Sequence, residues 1–484
     1  MRGTSLLSSA LAGLGAQQGS GIAMTLVAAA LMAPEVFGTF ALAAAFVEIG
    51  VLLTHSGLWH FLATADGADE SDEACLEATL FWALLALGNA GGLVLALAAP
   101  LLARVFDAPE LAWLLPVLAL AQPFVALSGW AGAVLTRHGR LGTYYGGLAH
   151  ANLVAVAIGL TALVAWPGVL ALAVWRVSRA LLTAWTLMRV VRRGPLRRPS
   201  WHVFREALRY ARPLYGARMA EHGAGFGADI ALALIFSTAE TGLWRIAQRL
   251  AQVGPEIMAQ AVRMSALSRL GEAIRNGRGA ALRFADAAAA TVFLAGGAAI
   301  TVAMFGEALV EALFGPAYAA AALALPALSL RAAALPLAGL VEPVAAASGR
   351  TGLYFWMAVG ESVAMLICCV LFAASGGAVL AWAQACVACL AGAFGLWLCA
   401  RQVRARAADL SVTLSGAALW LGLYALGAGV LRDVLLVQGL AVSLGATLLW
   451  AVCVTAMAGL SGTLALFSDA GERAQTAEAA GKPA

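Results

Sequence analysis

Apolar runs of about 20 residues, the length that crosses a bilayer as a helix, follow one another along almost the whole chain. They occupy residues 9–31, 36–58, 78–103, 111–135, 143–165, 167–190, 212–236, 242–265, 287–313, 319–345, 352–374, 377–400, 412–430 and 436–463, each bounded by Gly, Pro or charge. None shows the alternating segments of about ten residues that mark outer-membrane strands. The pattern predicts an all-α polytopic membrane protein of about fourteen transmembrane helices. The closing "DAGERAQTAEAAGKPA" has the polar, small-residue composition of a disordered tail.

The runs also repeat. "GRLGTYY" (139–145) recurs as "GRTGLYF" (349–355), and at the same offset Pro116, Leu118 and Leu120 match Pro326, Leu328 and Leu330. The turn "APEVFGTF" (33–40) recurs more loosely as "STAETGLW" (237–244). An internal repeat of six spans predicts two lobes of the same orientation, related by a pseudo-two-fold axis along the membrane normal, with a site between them. The expected division is a six-helix lobe at 1–193, a cytoplasmic linker at 194–211, a second six-helix lobe at 212–401, two extra helices within 402–466 and a cytoplasmic tail at 467–484.

Composition supports the membrane assignment. The chain is 62% hydrophobic and 12% charged, against about 25% charged for soluble domains. Its 52 glycines suit close packing of helices in lipid. Basic residues gather in "RVVRRGPLRRPSWHVFREALRYARP" (189–213), "SRLGEAIRNGRGAALR" (268–283) and "RQVRAR" (401–406), whereas Arg104 and Arg432 fall on the opposite side. The positive-inside rule then places both termini in the cytoplasm. The acidic loop "ADGADESDEACLE" (65–77) shares that side, but acidic residues contribute little to orientation. The N-terminus carries one arginine, Arg2, and no clear cleavage site, which reads as an uncleaved first span. Six of the seven cysteines lie in apolar runs; Cys386-x-x-Cys389 has no partner pair nearby and reads as packing, so no metal is expected.

The candidate chemistry lies in the seventh and eighth runs. "LWRIAQRLAQVGPE" (243–256) carries Arg245, Gln248, Arg249, Gln252 and Glu256. Positions 245, 249, 252 and 256 line one helical face; Gln248 adjoins it, and Gln260 and Arg263 extend it. In "GARMAEHGAGFGADI" (216–230), Arg218, His222, Gly225 and Asp229 share a face, with Glu221 alongside. The two runs form a hairpin turning near Ala239, which puts Asp229 level with Arg249 and Glu221 level with Glu256. A charge at mid-membrane costs roughly 2.5–3.5 kcal/mol on insertion scales, so these groups should face one another and water. Two readings remain open: Asp229–Arg249 is only a structural pair, or the stripe lines a solvated substrate cavity. The cationic remainder and the glutamines favour the cavity.

Other charges inside spans are weaker signals. Glu48 falls at the repeat position of Gln252, and Gln17 and Gln18 fall opposite Glu221 and His222. Arg331 stands between Pro326 and Pro336, where a helix break would expose carbonyls to a cavity. Arg176 and Arg179 either line a lumen or bond neighbouring helices. No nucleophile stands beside His222, and no phosphate-binding loop or cofactor motif appears. The basic segment 189–213 is short and beside the membrane, so anionic lipid contact explains it better than nucleic acid.

Three stretches carry a family resemblance. "ALMAPEVFGTFALAAAFVEIGVLLTHSGL" (30–58) resembles the opening hairpin of polysaccharide exporters, and "ALIFSTAETGLWRIAQRLAQV" (233–253) their second-half hairpin. "LFGPAYAAAALALPALSL" (313–330) resembles their F-G-x-x-Y-x-x-A turn. The chain resembles a Wzx-type lipid-linked oligosaccharide flippase of the MOP exporter superfamily, which also holds MurJ and the MATE exporters. The resemblance implies two six-helix lobes around a central cavity, alternating access, and an undecaprenyl-diphosphate-linked glycan as cargo, carried across the bacterial inner membrane. It implies membrane lipids as partners and names a polysaccharide polymerase and chain-length proteins as further ones. On this reading Arg245, Arg249, Arg218, Gln248, Gln252, Arg331, Gln18 and Glu48 are candidate substrate-binding residues, and Asp229, Glu256, Glu221 and His222 candidate coupling or ion-pair residues. The alternatives are a MATE-like cation-coupled drug exporter, with Asp229 or Glu256 as coupling site, a membrane glycosyltransferase or polymerase, and a non-transporting scaffold. The arginine-rich stripe disfavours the first, and external loops of around ten residues or fewer, judged against the two-sided span arrangement, disfavour the second.

The arginine asymmetry gives a direct expectation. Reporter fusions within 194–200 and after residue 484 should read cytoplasmic, and fusions near Gly168 and Ala239 periplasmic; a periplasmic reading at 194–200 reverses the orientation.

Overall fold

The structure, a computed structural model, describes residues 19–64, 70–191, 197–276, 279–347 and 351–461. Among these residues there is no strand. The helices are α1 (Gly19–Leu31), α2 (Pro34–His55), α3 (Gly57–Thr64), α4 (Glu70–Val105), α5 (Leu111–Ala119), α6 (Gln122–Arg137), α7 (Leu141–Ala165), α8 (Val169–Val191), α9 (Trp201–Ile235), α10 (Thr238–Asn276), α11 (Ala280–Phe314), α12 (Leu325–Gly339), α13 (Val341–Ala347), α14 (Thr351–Phe372), α15 (Gly377–Gln402), α16 (Ala407–Leu435) and α17 (Leu440–Leu460). Eleven described helical segments are long and apolar enough to cross a membrane. Three more helices stand where spans one, seven and eight were expected. α1 is described only from Gly19; α9 and α10 are 35 and 39 residues long, but their charged faces lower their hydropathy. The exposed surface of the apolar helices is itself apolar, as at Val164, Val370 and Leu426, the surface a lipid solvent demands.

The chain forms two compact units divided between Ile246 and Ala247, inside α10. The sequence placed a linker at 194–211. The compact division falls later because α9, which begins at Trp201 inside that expected linker, packs against α2, α3 and α4.

In the first unit the second span is broken at Ser56 into α2 and α3. A break strands backbone groups that hydrocarbon cannot satisfy. Tyr215 of α9 supplies the remedy: its hydroxyl donates to the Leu53 carbonyl (2.8 Å) and accepts from the Leu58 N–H (3.4 Å). Gly57 leaves room for that ring, since a Cβ there would lie 2.7 Å from Ala211 and 2.8 Å from Tyr215. Gln122, at the start of α6, donates from Nε2 to the Val47 carbonyl (3.1 Å) beside Gly50. The core of the unit joins Leu58, Leu62, Leu80, Leu84 and Trp130.

The acidic segment 65–77 is largely helical rather than a loop. α4 begins at Glu70; residues 65–69 lie outside the described residues. Glu73 and Glu77, one helical turn apart, meet Arg137 and His138 at 2.9 Å each. The acids therefore answer the basic end of α6.

In the second unit α11 is the central helix. Its residues 283–291 are buried without interruption, and it packs against α12, α15, α16 and α17. The two extra helices dock through α16. Tyr424 shares a hydrogen bond with Thr301 of α11, and its carbonyl accepts from Trp450 Nε1 of α17 (3.2 Å). Gly427 makes room for that indole: a Cβ there would lie 2.2 Å from Trp450 Nε1. Gly427→Ala should therefore splay α16 from α17 at a cost of about 1–3 kcal/mol, read as a lower thermal midpoint in detergent, and Trp450→Ala in the same chain should remove the clash. An unchanged midpoint for Gly427→Ala would refute this packing.

Candidate functional site

The charged faces of α9 and α10 meet near their turn. α9 ends at Ile235 and α10 begins at Thr238, so the turn lies at Phe236–Ser237. That is about two residues earlier than the sequence hairpin, which moves the level partner of Asp229 back by about four residues, one helical turn. Asp229 accordingly pairs with Arg245 (2.7 Å), one helical turn before the Arg249 that the sequence register implied. The Asp229 side chain is fully buried, while that of Arg245 is 19% exposed. Thr241 secures the register by donating its hydroxyl to the Asp229 carbonyl (3.0 Å).

Aromatic faces complete the arrangement. The Arg245 guanidinium lies over the Phe226 ring, 4.5 Å from its centroid. His222 stacks on the same ring, with centroids 4.6 Å apart, and its Nε2 bonds the Ala45 carbonyl of α2 (3.0 Å). Sequence reasoning missed Phe226. Its signal was available: Phe226 lies four residues after His222 and three before Asp229, on their helical face. A cation held by both a carboxylate and a ring face is fixed in position, and its partly exposed edge keeps N–H donors for a ligand.

A second charged group lies beside it in the first unit. Glu48 of α2 forms an ion pair with Arg176 of α8, and Arg179 and His222 lie within Coulombic reach of the same carboxylate. Arg176 therefore bonds a neighbouring helix, one of the two roles the sequence left open. Arg179 rests over the Trp175 ring at 5.3 Å. Arg218 pairs with Glu221 on its own helix (2.6 Å), and its side chain is 51% exposed.

The remaining stripe residues belong to the second unit. Gln248 is buried and its Oε1 has no hydrogen-bond partner among the described residues. Arg249, Gln252 and Glu256 are half-buried along α10. Arg331 is buried in α12, which is unbroken from Leu325 to Gly339. The expected break beside Arg331 is absent: Pro326 starts the helix, where a missing N–H costs nothing, Pro336 is carried inside it, and the chain turns at Leu340. Gln17 and Gln18 and the Arg263 side chain lie outside the described residues. Glu73, Glu77 and His138 bring three ligand-type atoms within 4.8 Å of one another, but Arg137 already engages Glu73 there, the pattern of an ion-pair network.

The buried pair predicts its own mutational signature. Removing one partner of a buried pair leaves an uncompensated charge, at about 3–5 kcal/mol. Arg245→Gln alone should therefore lower the membrane level of the protein more than Arg245→Gln combined with Asp229→Asn. Simple addition of the two single effects would refute the pair.

Comparison with known proteins agrees with this architecture. No curated protein matches the chain by sequence. Among solved structures, the lipid II flippase MurJ in an inward closed conformation superposes with a TM-score of 0.69 at 12% identity, covering 92% of this chain and 98% of that one. An inward-facing multidrug-resistance MATE transporter of the MOP superfamily gives 0.66 at 13%, covering 81% and 95%. A MOP-superfamily transporter from Pyrococcus furiosus, whose binding pocket is described as reversed in polarity, gives 0.53 at 15%, covering 83% and 95%. These likenesses establish the fold. The sequence profile described as "Polysaccharide biosynthesis protein" matches residues 27–323. The chain belongs to that polysaccharide biosynthesis protein family and has the fold of the MOP-superfamily transporters.

Proposed function

We propose that this protein is a flippase, moving an undecaprenyl-diphosphate-linked oligosaccharide from the cytoplasmic to the periplasmic leaflet of the bacterial inner membrane for surface or exopolysaccharide synthesis. The observation that carries this reading is that α9 and α10, though 35 and 39 residues long, fail to qualify as apolar spans in a chain where eleven described helical segments do. Each has a charged face, and a charged face on a membrane helix marks a wet path. Membership of the polysaccharide family supports a glycan as the cargo.

A diphosphate meets a large desolvation barrier in hydrocarbon. Charge-assisted bonds from arginine replace the lost water, and the planar guanidinium engages two phosphate oxygens at once. Arg245 is suited to this role because Asp229 and Phe226 hold it in place while part of it stays exposed. The same pairing tempers its charge, so a bound headgroup can leave. Arg218 adds cationic charge on α9, and on α10 Arg249 adds charge and Gln252 offers uncharged bonds to sugar hydroxyls. Transport through the chain, rather than bond-forming chemistry, is the expected activity, with both termini cytoplasmic and a polysaccharide polymerase and chain-length proteins acting on the exported glycan.

Arg245→Ala alone removes the ion-pair partner of the buried Asp229, so the pair is best removed together. Asp229→Asn with Arg245→Ala should reach normal membrane levels and lose most surface polysaccharide in a complementation assay, and Arg245→Lys should restore only part of it. Full export by the double variant at normal levels would end the headgroup role of Arg245.

A further inference from the structure

In the second unit α15 and α16 follow one another, joined by the short turn 403–406, yet they make almost no contact. α12 packs on α15 and α11 on α16, so α11 and α12 floor the gap between them. The gap is a cavity of about 450 Å³. Val292 and Ala303 of α11, Pro326 and Leu337 of α12, Leu396 of α15 and Leu421 of α16 line it.

Its shape and chemistry are those of a slot for one hydrocarbon chain. Eleven residues separate Val292 from Ala303, and Pro326 from Leu337, so the slot runs about 16 Å along the helix axes. Its rim at Leu330, Cys389 and Ala393 is exposed, and the exposed side of a spanning helix meets lipid. At about the 30 Å³ that a water-sized group takes in a liquid, the slot holds on the order of fifteen methylenes. That is one acyl chain; an undecaprenyl tail is several times larger.

The turn at one end of the slot is cationic. Arg401, Arg404 and Arg406 are exposed there, against one exposed acid, Asp409. Leu396 on the slot wall precedes Arg401 by five residues, about 7.5 Å along α15. Arg401 lies over the half-exposed Trp397 ring, 5.6 Å from its centroid, and Phe394 stacks on the same indole. An exposed Trp on a spanning helix marks the headgroup level, and a stacked guanidinium keeps its N–H edge for phosphate. Arg189 lies over Trp185 in the same way at the end of α8. Arg404 has a φ of 56°, the left-handed region where glycine is the ordinary choice. An arginine kept at that conformational cost points to a use for its side chain.

We propose that this cleft seats one resident anionic phospholipid, its phosphate held by Arg401 and Arg404 and one acyl chain laid in the slot between α15 and α16. Under the orientation read from the arginines the lipid belongs to the cytoplasmic leaflet. Its chain fills the gap and braces α16, and α17 with it, against α11 and α12. The proposal rests on the membrane assignment and is independent of what the protein carries.

The test uses the full-length protein, delipidated in detergent. Phosphatidylglycerol should raise its thermal midpoint several degrees more than phosphatidylcholine does, and native mass spectrometry should show one phosphatidylglycerol retained. Glycerophosphoglycerol, the head without chains, should give no shift. Arg401→Gln with Arg404→Gly should cut retention several-fold and equalise the two lipids. Arg404→Gly alone should keep or raise the lipid-free midpoint while weakening the phosphatidylglycerol shift. Ala393→Trp, which fills the slot and leaves the arginines, should also lose the lipid; if it does not accumulate, the chainless head decides the role of the slot. Equal shifts by both lipids in the unaltered protein would overturn the proposal. So would full retention in the double arginine variant, or undecaprenyl phosphate in place of phospholipid as the retained species. None of these readouts involves export, so they stand apart from the test of the transported cargo.

Discussion

A charge inside hydrocarbon must be paired or wet, and the first unit is arranged around that constraint. Asp229 is fully buried in a helix that would otherwise have to carry an unpaired anion through lipid. Its answer is Arg245 on the next helix, and the pair fixes the register of the α9–α10 hairpin. Glu48 imposes the same condition on α2 and α8 through Arg176. Four helices of the unit are thus positioned partly by two ion pairs, with His222 joining α9 to α2 between them. The unit's apolar helices pack without such help, but they do not set where the polar faces meet.

The other organising force is close approach. Between helices in lipid there is little hydrophobic drive, so backbones gain by packing tightly where side chains are small. Gly50 admits the Gln122 amide, Gly57 the Tyr215 ring and Gly427 the Trp450 indole. In each case the space left by a glycine is filled by a group that also makes a hydrogen bond to a nearby carbonyl. Small residues here serve polar satisfaction as much as packing.

These two principles bear on function together. A diphosphate-linked glycan needs a cation that is strong enough to replace water and weak enough to release its cargo. On the proposed function, an arginine already sharing its charge with a buried aspartate, as Arg245 does with Asp229, would meet both demands. The polysaccharide family and the MOP transporter fold are the setting of the proposed function, and the polar faces of α9 and α10 are the groups it assigns to the headgroup.

Apolar run length and charge placement made the helices, the polar faces of α9 and α10 and the repeated turns readable from the sequence, because each is a local property of one helix. The register between helices was not local. A turn at Phe236–Ser237 instead of Ala239 brings Arg245 to Asp229, one turn before the expected Arg249, since a shift of about two residues at a hairpin moves the facing position by a full helical turn. The same limit hid the meeting of Glu48 with Arg176, and of Glu73 and Glu77 with Arg137 and His138. Which side chains are polar follows from composition along one helix; which of them touch depends on how helices distant in the chain rotate and slide against each other, and only the folded chain decides that.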